Sequence, residues 1–157
     1  MTGGSAPVGV LDDAEATRAL GARIGAVLEA GDVVILDGPL GAGKTTFAQG
    51  VGVALGVPTP VRSPTYTIAD LHAGGRVPFV HIDAYRLGSA DELDDIDLPT
   101  EGAVTLVEWG VGRAEQLADS HLVVRLDRPV GADVRTWAAQ VVGSGSLRER
   151  LAAVGIA

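Results

Sequence analysis

Residues 33–47, Val33-Val34-Ile35-Leu36-Asp37-Gly38-Pro39-Leu40-Gly41-Ala42-Gly43-Lys44-Thr45-Thr46-Phe47, run from an apolar stretch through a glycine-rich turn into a helical pattern. The apolar stretch has the continuous character of a strand buried on both faces of a parallel sheet. Gly38–Thr45 is a full match to the phosphate-cradling pattern Gly-x-x-x-x-Gly-Lys-[Ser/Thr]. Beyond it, Phe47, Val51, Ala54 and Leu55 recur at helical spacing until Gly56 and Pro58 stop them. Strand, glycine loop, helix is the setting this motif requires.

Lys44 is the only lysine among the 12 basic residues; all the others are arginine. A phosphate loop needs the lysine, because a compact ammonium fits between phosphate oxygens inside a tight backbone nest where a planar guanidinium is too broad. The glycines let successive N–H groups converge, and the helix that starts at Lys44 adds its positive dipole end. Thr45, the residue after the lysine, offers a hydroxyl to Mg²⁺.

At 157 residues the chain has one domain's length, and its 20% charged and 46% hydrophobic content is that of a folded protein. It has no cysteine, which excludes disulfides and thiolate chemistry, and no signal-like or membrane-spanning run, so a cytoplasmic address with no membrane partner is expected. A net charge of −8 speaks against holding nucleic acid unaided. His72, His81 and His121 lie apart in sequence, fit no metal-ligand spacing and read as structural.

Around the motif, Leu20, Ile24, Val27 and Leu28 predict an amphipathic helix within about Asp13–Ala30. Strands are expected at Thr65–Leu71, Val77–Asp83, Val104–Glu108, His121–Leu126 and Val134–Val142, with short helices near Ala90–Asp95, Arg113–Ala118 and Leu147–Val154. Asp127–Asp133, with Pro129 and Gly131, reads as a hairpin turn between the last two strands. Gly50 and Gly52 each cost the second helix about 1 kcal/mol relative to alanine, with close packing on the sheet as one reason. The expected fold is α/β: a P-loop NTPase fold, a largely parallel central sheet flanked by helices, with a C-terminal antiparallel strand pair. It forms a single domain over residues 1–157, of which 1–10 are a loose N-terminal segment.

Two apolar strands end in carboxylates, Asp83 and Glu108, at the sheet edge where phosphates would lie. One can hold the metal while the other orients or deprotonates water, and the sequence leaves open which does which. Ser63-Pro64-Thr65, read alone, is a turn; beside a phosphate loop it has the composition of a nucleotide switch, with Thr65 as a candidate ligand. The chain contains no asparagine, so the Asn-Lys-x-Asp guanine reader cannot exist and adenine is favoured.

Gly38–Phe47 (GPLGAGKTTF), Ser63–Ile68 (SPTYTI), His81–Leu87 (HIDAYRL) and Val107–Trp109 (VEW) resemble, in order and spacing, the TsaE family of bacterial P-loop ATPases, from about Asp13 to Trp109. The resemblance implies a Mg²⁺-dependent ATPase, weak alone and stimulated by partners. It would serve N6-threonylcarbamoylation of the adenosine beside the anticodon in tRNA. The transfer itself would belong to TsaD with TsaB, and tRNA would be met only through that complex. By position, Gly41, Ala42, Gly43, Lys44, Thr45 and Thr46 would bind ATP phosphates, Thr45 and Glu108 would hold Mg²⁺, Asp83 would be the second carboxylate, and Arg135 would match a basic residue near the nucleotide. Tyr85, Arg86 and Trp109 match the family's Tyr-Arg pair and tryptophan. The alternatives are a P-loop small-molecule kinase, for which no inserted lid is evident, and an adaptor that changes shape on nucleotide binding.

Overall fold

The computed structural model describes residues 8–64 and 68–157. Eleven main elements follow one another: β1 (Val8–Leu11), α1 (Ala14–Gly25), β2 (Val33–Asp37), α2 (Lys44–Leu55), β3 (Ala69–His72), β4 (Phe79–Asp83), α3 (Ala90–Asp94), β5 (Val104–Glu108), β6 (His121–Asp127), β7 (Arg135–Val142) and α4 (Ser146–Ala153). All seven strands join one sheet in the order β1-β7-β6-β2-β5-β4-β3. The centre, β6-β2-β5-β4, is parallel, while β3, β7 and β1 add antiparallel edges. No helix among the described residues is long and apolar enough to cross a membrane.

Period-two alternation sorts the strand residues between two cores. Val34, Leu36, Phe79, Leu106 and Leu122 face the layer of α1, α2 and α4. Val33, Ile35, Val80, Ile82 and Val107 face the other way, against Leu87, Leu93 and Ala114. The same alternation places His81 and Asp83 on the face of Phe79, and Glu108 on the face of Leu106. Parallel pairing then sets Asp83 directly opposite Glu108.

Several elements depart from the sequence-based expectation for visible reasons. α1 starts where Asp13 caps it, its carboxylate accepting from the Ala16 N–H, and ends at Gly25 rather than Ala30. Beyond Gly25 the chain tightens, Val27 and Leu28 donating to carbonyls three residues back, yet Leu28 still reaches the core. The region near Arg113–Ala118 forms only a 3₁₀ turn at Glu115–Leu117. Residues 8–10, assigned to a loose segment, are instead part of edge strand β1, held by pairing with β7 that its short Val-Gly-Val-Leu pattern does not reveal. Of the strand expected at Thr65–Leu71, residues 65–67 lie outside those described, and the strand observed is Ala69–His72.

Gly50 answers to a neighbouring helix rather than to the sheet. A Cβ there would lie 2.0 Å from the Arg18 carbonyl oxygen of α1, and one at Gly21 would lie 2.2 Å from the Phe47 oxygen of α2. The two helices therefore touch backbone to backbone, which fixes α2 and the loop before it. Gly52 meets Val61, Val57 and, more distantly, Phe79.

Candidate functional site

The parallel strands β2, β4 and β5 all end at the same sheet edge, where ligands of open α/β sheets bind. The 38–43 loop leaves β2 there and enters α2 at Gly43, whose φ of +108° suits only glycine; no side chain caps the helix. The first-turn N–H groups of a helix have no intrahelical acceptors, so this uncapped end has the chemistry to accept an anion. Gly41, Gly43, Lys44, Thr45 and Thr46 line a cleft of about 380 Å³, facing Ser63, Asp83, Glu108, Trp109, Arg128 and Arg135. Ala42 does not line it: its methyl lies in the core and its N–H donates to the Pro39 carbonyl. Thr65 lies outside the described residues.

Lys44 is buried, its ammonium donating to the carbonyls of Gly38 (2.7 Å) and Pro39 (2.9 Å). It also lies 4.0 Å from the centroid of the Trp109 ring. Burial pulls its pKa below the ordinary lysine value; Glu108, Asp37 and Asp83 oppose that pull, and Arg125 adds to it. Trp109 is the only non-glycine residue among those described with a positive φ (+61°), and its N–H donates to the Leu36 carbonyl. Such strain persists where surrounding contacts over-determine it. Here those contacts include the Tyr85 ring, 5.1 Å away and tilted by 60°.

Glu108 is only 4% exposed. Its Oε1 and Oε2 stand 3.4 and 3.5 Å from the Thr45 hydroxyl, and Oε2 is 2.5 Å from His81 Nε2. Asp83 is more open: Oδ1 accepts from the Tyr85 N–H (3.0 Å) and Oδ2 from the Ser63 hydroxyl (3.4 Å). Thr45, Glu108 and Asp83 thus offer only hard oxygen donors. No group of three or more His, Cys, Asp or Glu is assembled for a metal among the described residues. A set of one hydroxyl and one or two carboxylates suits Mg²⁺, which retains waters and shares phosphate oxygens instead of filling a protein cage.

Two arginines face the loop from the other side. Arg135 is buried, donates from Nη1 to the Thr17 hydroxyl (3.0 Å), and its Nε has no partner among the described residues. Arg128, on the β6–β7 hairpin, donates to the Ala132 and Gly41 carbonyls. The sequence did not single out Arg128, because only the fold-back of the hairpin brings it to the loop. His81 was also missed as a site residue, although its position two before Asp83 on one strand places both on the same face.

A seven-stranded sheet flanked by helices, with a strand–glycine loop–helix turn and two facing carboxylates at one sheet edge, makes this a mixed α/β protein as the class. The family model for "Threonylcarbamoyl adenosine biosynthesis protein TsaE" matches residues 11–135. Proteins named tRNA threonylcarbamoyladenosine biosynthesis protein TsaE are similar along most of their length. That of Mycobacterium tuberculosis H37Rv is 48% identical over 150 residues, covering 87% of this chain and 88% of the relative. That of Bacillus subtilis is 38% identical over 133 residues, covering 83% and 82%. The crystal structure of Bacillus subtilis YdiB superposes with a TM-score of 0.76 at 30% identity, covering 95% of this chain and 93% of that one. The chain belongs to the TsaE family.

Proposed function

We propose that the protein is a Mg²⁺-dependent ATPase of the P-loop fold, a single domain that serves threonylcarbamoylation of tRNA adenosine together with TsaD and TsaB. The pathway follows from family membership. The hydrolytic reading rests on one observation above all: Glu108 and Asp83 face each other across β4 and β5, with Thr45 of the phosphate loop against Glu108.

In this reading the N–H groups of Gly43–Thr46 and the Lys44 ammonium bind the β- and γ-phosphates, and Lys44 exchanges the Gly38 and Pro39 carbonyls for phosphate oxygens. Mg²⁺, when bound, neutralises charge that develops on the phosphates. Thr45 and the buried Glu108 would hold it. Asp83, open to the cleft and fixed by the Tyr85 N–H, orients the attacking water. Arg135 and Thr65 complete the nucleotide ligands. The acidic chain leaves tRNA contact to its partners, and it would work in the cytoplasm.

Purified protein should hydrolyse ATP slowly with Mg²⁺ and faster with TsaD and TsaB present. Its depletion should lower threonylcarbamoyladenosine in tRNA. Hydrolysis that neither needs Mg²⁺ nor responds to the two proteins would defeat the proposal.

A further inference from the structure

His81 is fully buried on β4, two residue pairs below the carboxylates, and its ring stacks on Phe79 with centroids 6.1 Å apart and planes 5° from parallel. Phe79 stacks in turn on His72, whose Nδ1 meets the Thr59 hydroxyl at 2.6 Å. This column of rings leaves His81 little freedom to swing. Its Nε2 is 2.5 Å from Glu108 Oε2, while Nδ1 finds no partner among the described residues, so a ring carrying one proton holds it on Nε2. Glu108 itself, at the end of β5, lies between His81 of β4 and Thr45 of α2 and is nearly inaccessible.

We propose that His81 is the positioning residue of the Mg²⁺ site: by holding Glu108 Oε2 it leaves Oε1, the oxygen nearer the Thr45 hydroxyl, as the one presented to the cation. The inference rests on the reading of Thr45 and Glu108 as Mg²⁺ ligands. An unheld carboxylate in this pocket can rotate about its terminal torsion, which is broad for glutamate. It then offers either oxygen, or both, to a small cation that demands near-ideal octahedral geometry. A donor behind one oxygen removes that choice. Partners of this kind, one shell out from a metal, typically change metal affinity or activity by about 10–100-fold when removed. His81 does this without reaching the nucleotide, since it does not line the cleft.

The test compares His81→Phe, which keeps the ring stack and loses the donor, with His81→Gln, whose amide nitrogen reaches about as far as Nε2, and His81→Asn, which is too short. Binding of a fluorescent ATP analogue is titrated with Mg²⁺, alongside ATP turnover and thermal unfolding of each metal-free protein. The expected result is a Mg²⁺ requirement raised about tenfold or more in His81→Phe and His81→Asn, restored toward wild type in His81→Gln. Metal-free nucleotide affinity should be the same in all four proteins, and turnover at saturating ATP should fall with little change in KM. Should His81→Phe fail to fold, the Gln and Asn pair decides alone. Equal Mg²⁺ requirements in Gln and Asn, or a wild-type requirement in Phe, would overturn the positioning role while leaving the metal site intact. Wild-type binding that ignores Mg²⁺ would instead remove the metal site and this inference with it.

Discussion

Lys44 Nζ sits 4.0 Å from the centroid of the Trp109 ring while donating to the Gly38 and Pro39 carbonyls of its own loop. Aromatic and carbonyl groups thus surround the ammonium. Trp109 reaches it only because its backbone takes the left-handed turn at φ +61° directly after β5. Lys44→Arg keeps the charge but needs room for a planar fork in this space. The substitution should lower ATP turnover by about 100-fold or more, the scale of losing one transition-state donor. A steady-state assay at saturating Mg·ATP checks this, and full activity would show that charge alone suffices.

Asp83 and Glu108 are opposite one another in the sheet but differ in surroundings, and their substitutions should separate. Glu108→Gln keeps the shape and the His81 contact but loses the anion, so Mg²⁺ should no longer tighten nucleotide binding. Asp83→Asn should bind Mg·ATP as wild type does and lose about 100-fold or more in turnover. Equilibrium binding with and without Mg²⁺, set beside phosphate release, distinguishes the two. If both variants lose metal-dependent binding, Asp83 is a metal ligand too. A threonylcarbamoyladenosine defect in cells rescued by Asp83→Asn would mean that binding rather than hydrolysis gates the partner reaction.

The central architecture was legible because its signals are local. Val33–Leu36, the glycine loop and Gly56 as the end of α2 each carry their own punctuation, and β4 and β5 end in carboxylates that the sequence itself marks. What escaped depends on contacts between distant segments. β1 is a strand only because β7 lies beside it. Arg128 enters the site through a hairpin, and Gly50 is explained by the carbonyl of Arg18 on another helix. His81 falls between: alternation with Asp83 was readable, but its bond to Glu108 needed the parallel register of two strands.

The contact of α1 with α2 gives a stability prediction. Gly50→Ala would set a methyl 2.0 Å from the Arg18 carbonyl, so the helices must part. Overpacking of this kind costs about 1–3 kcal/mol. Thermal unfolding should fall by about 3–10 °C for a chain of this size. Because α1 also carries Thr17, the partner of Arg135, nucleotide affinity should weaken in parallel. Val53→Ala on the exposed side of the same helix should change stability by less than about 0.5 kcal/mol. A Gly50→Ala protein as stable as wild type would show that the two backbones are not held in contact.

The buried position of Lys44 also sets a pH dependence whose sign can be worked out. Its pKa in the free protein lies below the ordinary lysine value, chiefly through burial, so folding disfavours the ammonium. The unfolded chain then binds more protons between the lowered value and the ordinary one, and this group's contribution to stability rises with pH across that window. Nucleotide binding has the opposite sign. Phosphate oxygens favour the ammonium, so the bound pKa is higher than the free one. Below the free pKa the lysine is already charged and affinity is flat with respect to this group. Above it each binding event must take up a proton, and affinity should fall by up to about tenfold per pH unit until the bound pKa is reached. Calorimetric titration of ATP in two buffers of different ionisation enthalpy should therefore show proton uptake at alkaline pH, fading toward neutrality. Lys44→Ala should abolish the uptake together with most of the affinity. Uptake that persists in that variant would place the titrating group elsewhere in the cleft.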